Sequence, residues 1–187
     1  NQLRQAAAAA RDQSWAMATI DTTNNIRSIL GPIGPVCVFG PNNFPFAFGS
    51  ASGGDFAAAL AAGNPVIAKA HPSHPYTSQL LCEIAASALT ATGLPAGTLQ
   101  MLYHLEPADG LRMIGDRRLA AVAFTGSRHG GLALKAAADA AGKPVKPLDR
   151  SVSKIDSVQH LYYQSEQVQQ AALVVNVLDA GGTPKEG

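Results

Sequence analysis

The 187-residue chain has little charge of either sign and only two cysteines. Asp, Glu, Lys and Arg make up 14% of the residues and the net charge is +1, so neither a nucleic-acid-binding nor an acidic-lipid-binding surface is indicated. Cys37 and Cys82 have no metal-ligand spacing and no disulfide pattern, which favours a reducing, cytoplasmic setting. No apolar run approaches the roughly 20 residues of a membrane span. We therefore expect no nucleic-acid partner and no membrane partner.

The chain does not begin with a methionine, and its first residues do not indicate a signal peptide. Its first stretch, NQLRQAAAAARDQSW, is helix-like and has no basic segment followed by an apolar one. Residues 1–33 are therefore expected to form an N-terminal helical segment. A start at Asn1 predicts a chain that begins inside a longer protein or after processing.

Short apolar runs alternate with alanine-rich helical patterns through the middle of the chain. Hydrophobic residues make up 47% of the sequence, and the runs at 34–40, 64–70, 97–103 and 119–126 predict buried strands. Strands alternating with helices predict an α/β domain over residues 34–147, with a Rossmann-like parallel sheet covered by helices on both faces. From residue 148 the sequence becomes more polar, and we treat 148–187 as a divergent tail of unassigned structure.

The helix boundaries have local signals. Asp55 is a candidate N-cap for the helix after the first buried strand, and Gly63 is expected just past its end. Pro75 suits the first turn of the next helix, and Gly93 suits the position after its last turn. One buried stripe is predicted on that second helix. It comprises Leu80, Leu81, Ile84, Ala85, Ala88 and Leu89.

Polar side chains gather where the predicted strands end. Asn42 and Asn43 follow the first strand, Lys69 ends the second, and Gly126 and Ser127 follow the fourth. Parallel sheets bind ligands at the carboxyl ends of their strands, and a glycine-rich helix start favours a phosphate. Each feature also has an interpretation without a ligand. The asparagines could form a plain polar turn, and the lysine could simply reach solvent. The Gly-Ser turn does not match the usual G-x-G-x-x-G pattern.

Four stretches in this order and spacing resemble the cofactor-binding half of aldehyde dehydrogenases: GPNNFP, ALAAGNPVIAKAHPSHP, TGLPAGTLQML and AVAFTGSRHGG. The wording GGD…ALAAGNPVIAKAHPSHP is most similar to the branch that oxidises 2-oxoglutarate semialdehyde (2,5-dioxopentanoate). The resemblance covers residues 1–145. It implies oxidation of an aldehyde or semialdehyde to the carboxylic acid, a small-molecule aldehyde as substrate, and a homo-oligomer in the full-length protein.

The resemblance also implies roles for single residues. Asn43 would donate its amide to the substrate oxygen, where one fixed donor is worth roughly 3 kcal/mol of barrier. Lys69 would bond the adenosine ribose, and Ser127 would meet the pyrophosphate. The implied cofactor contacts are Pro41, Asn42, Lys69, His71, Gly110, Gly126, Ser127 and Gly131.

The expected cofactor is NADP, with NAD as the second candidate. Many relatives read Lys-Pro-Ser-Glu where this chain reads Lys69-Ala70-His71-Pro72, so the ribose-binding carboxylate is missing. Without that acid a 2′-phosphate is not repelled, and Lys69 with His71 would favour it. His71 and His74 lack acidic or thiol neighbours, so we expect surface loop residues and no metal site.

The family reaction needs a cysteine nucleophile and a glutamate base after the helix that follows the fourth strand. KPVKPLDRS brings Asp149 to the glutamate position only after a one-residue shift, and no cysteine follows Cys82. Cys37, in an apolar strand, is expected to be inert core. The sequence thus predicts part of a dehydrogenase that lacks the nucleophile. The alternatives are a catalytically inactive dinucleotide-binding or subunit-interaction module, and a structural protein without either role.

Overall fold

The computed structural model describes residues 1–143 and the backbone of residues 175–178. The helices are α1 (Gln2–Asp12), α2 (Gly54–Ala61), α3 (Pro75–Ala91), α4 (Pro107–Gly115) and α5 (Arg128–Ala140), with short 3-10 helices at Ser14–Ala16 and Ala96–Thr98. The strands are β1 (Thr19–Asp21), β2 (Ile26–Leu30), β3 (Val36–Phe39), β4 (Val66–Lys69), β5 (Leu99–Leu102), β6 (Ala121–Phe124) and β7 (Val175–Leu178).

Four of these strands form a parallel sheet in the order β5-β4-β3-β6. Each strand coincides with one of the apolar runs that predicted it. The register aligns the strand ends, because Phe39 at the end of β3 lies beside Lys69 on β4 and beside Phe124 on β6. The predicted Rossmann-like arrangement is confirmed for this sheet.

Helices cover both faces of the sheet, as predicted. Successive side chains of a strand point to opposite faces. Val38 of β3 packs with Phe56 of α2 in one cluster, to which α3 also contributes. Cys37, the neighbouring residue, packs on the other face with Ile114 of α4 and Ala138 of α5. A strand buried on both faces reads as a continuous apolar run, which explains the lack of alternation in the sequence.

Residues 1–33, expected to be a helical segment, are helical over α1 and then form an antiparallel pair of strands. β1 pairs with β2, and β2 also pairs with β7 in a second, three-stranded sheet. The hairpin turn has Asn25 at φ 52°, a left-handed conformation that asparagine tolerates better than most residues. α1 and the 3-10 helix that follows it pack against α2, where Ala6 and Trp15 join a small cluster with Ala58.

The helix ends agree with the local signals except at Asp55. Pro75 begins α3, and Gly63 (φ +82°) and Gly93 (φ +75°) follow the ends of α2 and α3. The N-cap of α2 is Gly53, and Asp55 lies inside the first turn. Its Oδ2 accepts a hydrogen bond from Thr125 Oγ1 at 3.3 Å, so it joins α2 to the end of β6.

The predicted buried stripe on α3 is wrong in part. Leu81, Ala85 and Leu89 are half-buried, whereas Leu80 is 46% exposed and Ile84 is 59% exposed. Cys82, Ala85 and Leu89 pack against the sheet. The helix carries apolar residues on more than one face, so the period alone does not select the face that is buried. Within the part of the chain that is described, no helix has the length and apolarity to cross a membrane.

Candidate functional site

The strand register brings most of the predicted site residues to one edge of the sheet. Since β3, β4 and β6 are parallel and end at the same level, the segments that follow them leave the sheet side by side. We call this group the strand-end cluster. It comprises Pro41, Asn42, Asn43, Lys69, His71, Gly126 and Ser127.

The turn after β3 presents its two asparagines to solvent. Pro41 is buried, whereas Asn42 and Asn43 are exposed. The chain beyond them folds back on itself, with Phe48 N donating to the Phe44 carbonyl at 2.9 Å. A Cβ at Gly40 would lie 2.7 Å from the Phe48 carbonyl oxygen, so this turn needs glycine to close. The Asn43 amide is therefore carried on a compact turn and is open to a ligand.

Lys69 ends β4, between Phe39 of β3 and Leu102 of β5. It is half-buried, and burial lowers the pKa of its ammonium group, with Cys37 acting weakly in the opposite direction. An ammonium with part of its hydration removed binds a phosphate or hydroxyl oxygen more strongly than a fully hydrated one. The residue is placed to act as the cation of the cluster.

His71 lies two residues beyond Lys69 with a defined tautomer. Its Nδ1 accepts the backbone N–H of Ser73 at 3.1 Å, so the proton of the neutral ring is on Nε2. Burial lowers the pKa of His71, and His74 and Lys69 lower it further. At neutral pH the ring is therefore an uncharged N–H donor. Among the described residues, no three His, Cys, Asp or Glu side chains converge as metal ligands.

The turn from β6 into α5 brings a helix N-terminus to the end of the strand. Ser127 is the N-cap of α5, and its Oγ accepts the backbone N–H of Gly130 at 3.2 Å. A Cβ at Gly126 would lie 2.8 Å from Cζ of Phe124, which leaves little room for any side chain there. The first backbone N–H groups of a helix have no partner within the helix and favour negative charge. Gly131, one turn into α5, is buried and donates its N–H to the Ser127 carbonyl at 2.9 Å.

Gly110, one of the implied cofactor contacts, is not part of the strand-end cluster, because it lies on α4, the helix that follows β5. It is the fourth residue of α4, which begins at Pro107, and it is buried. Its backbone N–H donates to the Glu106 carbonyl at 2.9 Å, and a Cβ there would meet Leu105 Cδ2 at 3.5 Å. The backbone N–H of Gly110 is therefore already bonded within the helix.

Neither cysteine belongs to the strand-end cluster. Cys37 is buried beneath α4 and α5, and burial raises the pKa of its thiol to about 12. Cys82 is half-buried on α3, and burial, followed by the nearby Glu83 carboxylate, raises the pKa of its thiol. Both shifts disfavour the thiolate that a nucleophile requires. Asp149, the predicted base, lies outside the described residues.

Two contacts at this edge were not anticipated from the sequence. The Asp55 carboxylate reaches Thr125, next to the Gly-Ser turn. His74, expected in a surface loop, is half-buried, and its Nε2 lies 3.1 Å from the carbonyl oxygen of Pro41. Both link segments far apart in the chain, so no local pattern marks them.

Comparison with known proteins places this site in context. The family described as "Aldehyde dehydrogenase family" matches residues 1–148. Alpha-ketoglutaric semialdehyde dehydrogenase 2 of Azospirillum brasilense is 41% identical over 166 residues, which cover 84% of this chain and 31% of that protein. The chain thus spans about a third of the length of that curated relative.

Solved structures agree with the fold. Glyceraldehyde-3-phosphate dehydrogenase GapN from Methanocaldococcus jannaschii, complexed with NADP, superposes with a TM-score of 0.64 at 20% identity, over 77% of this chain and 30% of that one. An NAD-dependent aldehyde dehydrogenase from Sinorhizobium meliloti superposes with a TM-score of 0.61 at 26% identity, over 75% of this chain and 27% of that one.

Proposed function

The chain belongs to the aldehyde dehydrogenase family, and from this premise we propose that it is the NADP-binding part of an enzyme that oxidises a semialdehyde to the carboxylic acid. The cysteine nucleophile comes from outside these 187 residues. One observation carries the proposal: the aligned ends of β3, β4 and β6 gather an amide, an ammonium and a helix N-terminus at one sheet edge.

These groups are suited to a dinucleotide. The start of α5 offers backbone N–H groups to a pyrophosphate, and the glycine at position 126 removes the side chain that would obstruct it. Lys69 would bond the adenosine ribose with its half-buried ammonium. Pro41 and Asn42 would line the same side, and Gly131 would let α5 lie close to the bound molecule.

The preference for NADP follows from charge. No carboxylate occurs in the segment Lys69–Pro72, where a ribose-binding acid would repel a 2′-phosphate. The Lys69 ammonium and the Nε2–H of His71 would both donate to the phosphate oxygens. NAD is the second candidate. The neutral form of His71 contributes a hydrogen bond but no charge, so Lys69 alone would supply the charge that favours a 2′-phosphate.

Asn43 would serve the chemistry. Attack of a thiolate on an aldehyde places negative charge on the carbonyl oxygen, and a fixed amide donor lowers the barrier by stabilising that charge. Lys69 and the start of α5 would hold NADP, which would supply the hydride acceptor for the oxidation. Asp149 would have to act as the base that activates water, with a side chain one methylene shorter than glutamate.

The substrate class is inferred from the relative. The Azospirillum brasilense protein is named for alpha-ketoglutaric semialdehyde, and we assign the same compound, 2-oxoglutarate semialdehyde, as the first substrate to test on the longer protein. We further infer a homo-oligomer for that protein. The two lone cysteines, neither in a disulfide, support a cytoplasmic setting.

A catalytically inactive dinucleotide-binding or subunit-interaction module is the second candidate function. It is favoured by the position of both thiols, which lie away from the strand-end cluster and have raised pKa values. Its dinucleotide-binding form shares the cofactor site with the first proposal and differs only in the absence of chemistry.

Titration calorimetry of the purified chain with NADP and with NAD tests the proposal. We expect saturable binding of both, with NADP tighter by roughly tenfold or more if its 2′-phosphate gains a charge-assisted hydrogen bond. Adenosine 2′,5′-bisphosphate should then compete with NADP better than adenosine 5′-monophosphate does. Equal affinity for both cofactors would overturn the NADP assignment, and absence of binding would overturn the cofactor site.

A further inference from the structure

His74 connects the start of α3 to the turn that carries the asparagines. It directly precedes Pro75, the first residue of α3, and its Nε2 lies 3.1 Å from the carbonyl oxygen of Pro41. Pro41 is buried and Asn43 is only two residues further along the chain. A single side chain thus joins the segment after β4 to the segment after β3, across 33 residues of sequence.

The chemistry of the contact fixes its direction. A carbonyl oxygen only accepts, so the proton is on Nε2 and the ring donates to Pro41. On the other side of the ring, Nδ1 lies 3.1 Å from Ser78 Oγ, and that hydroxyl also lies 3.1 Å from the carbonyl oxygen of His74. In the neutral ring the hydroxyl donates to Nδ1. In the charged ring Nδ1–H donates to Oγ and the hydroxyl turns to the carbonyl. The bond to Pro41 is made in either state.

The imidazole ring of His74 also stacks against a neighbouring ring. It stacks on His71 with centroids 5.4 Å apart and planes 29° apart. Ser78 is buried, so one hydrogen-bond partner of His74 is itself fixed in the packed face of α3. A side chain restrained by Pro41, Ser78 and His71 has little freedom to rotate away.

We propose that His74 is a positioning residue: its Nε2–H bond to the Pro41 carbonyl holds the turn after β3 against α3 and so sets the place of the Asn43 amide. The role of Asn43 as oxyanion donor rests on the proposed function. The bond itself does not, and it can be tested in the free chain.

The ¹⁵N relaxation order parameters of the backbone amides at residues 42–44 measure the restraint. In His74→Asn the shorter amide reaches Ser78 but not Pro41, and in His74→Gln the longer amide places an N–H donor near the position of Nε2. We expect the order parameters at 42–44 to fall from roughly 0.85, typical of rigid backbone, toward roughly 0.6 in His74→Asn, and to stay close to those of the unmodified chain in His74→Gln. Asparagine is a favoured N-cap, so α3 keeps its start in the Asn variant.

Gln79→Leu is the matched control. It removes a hydrogen bond of α3, from Gln79 Nε2 to Glu83 at 2.8 Å, that has no link to the turn after β3. The order parameters at 42–44 should be unchanged in this variant. Equal order parameters at 42–44 in the Asn and Gln variants would overturn the proposal, and so would lower values in the Gln79→Leu control. These outcomes are independent of cofactor binding, so failure of the proposed function would not be mistaken for failure of this inference.

Discussion

Replacement of Lys69 tests the cation of the strand-end cluster. The side chain is half-buried at the end of β4, between Phe39 and Leu102, and burial lowers the pKa of its ammonium group. Such a group has lost part of its hydration in the folded protein. A cofactor oxygen that replaces the missing water forms a charge-assisted hydrogen bond.

The expected magnitude follows from that bond. A hydrogen bond to a charged group contributes roughly 1.5–3 kcal/mol, so Lys69→Ala should weaken either cofactor by roughly 10- to 150-fold. NADP should lose at least as much as NAD, because its 2′-phosphate adds negative charge near the ammonium. In Lys69→Met, which keeps most of the apolar stem, the thermal midpoint of unfolding should not fall, since removal of a partly desolvated charge relieves a cost of folding.

Titration calorimetry of two variants and one control separates charge from packing. Lys69→Met keeps most of the apolar stem and removes only the charge, so it should match Lys69→Ala in cofactor affinity. Lys135→Ala removes an α5 lysine that is paired with Asp139 at 2.5 Å and should leave the affinity unchanged. An NADP affinity of Lys69→Met within twofold of the unmodified chain would refute the assigned role.

Three further outcomes are expected. In a steady-state absorbance assay, the purified chain should reduce no cofactor above background with any short semialdehyde, including 2-oxoglutarate semialdehyde. Turnover that a cysteine-to-serine change abolishes would contradict this. Asn64→Ala should lower the free energy of unfolding in urea by roughly 2–4 kcal/mol, because the buried Asn64 Oδ1 accepts the backbone N–H of Ile33 at 2.7 Å and that of Gly34 at 3.0 Å. Asn24→Ala, at an exposed amide, is the control, and an equal effect of the two substitutions would contradict the prediction. Cys37 is fully buried, and burial raises the pKa of its thiol to about 12. In a Cys82→Ser chain, its reaction with a disulfide reagent at pH 8 should therefore be far slower than that of free cysteine, and a rate within tenfold of free cysteine would contradict this.

The sheet could be predicted because the signals for its strands are local. Four apolar runs of the right length, each bounded by glycine, proline or polar residues, became β3 to β6. The parallel arrangement then follows from the helices between them, and the common edge follows from the parallel arrangement. That is why the positions of Asn43, Lys69 and Ser127 could be grouped from the sequence.

The buried face of α3 could not be predicted from its period. Leu80 and Ile84 lie at the same spacing as Leu81 and Ala85, and both rows are apolar. The choice between two apolar rows depends on where the sheet lies, which is a tertiary property. A prediction that assumes one apolar face on the helix cannot account for the second apolar row, which is exposed.

His74 was missed for a related reason. A histidine beside a proline at a helix start has the appearance of a surface residue, and its partner Pro41 is 33 positions earlier. Asp55 is not the N-cap that its position suggested, because α2 is capped at Gly53, and the Asp55 carboxylate accepts a hydrogen bond from Thr125. Contacts between distant segments have no local signal in a single sequence.

We place a dinucleotide at the carboxyl ends of β3, β4 and β6. A ¹H–¹⁵N spectrum of the chain titrated with NADP tests this claim most directly. The largest saturable shift changes are predicted for the backbone amides of residues 126–131 at the start of α5, followed by those of residues 42–43 and 69–71. Shift changes concentrated in α1 and the β1–β2 hairpin, or none that saturate, would contradict the claim.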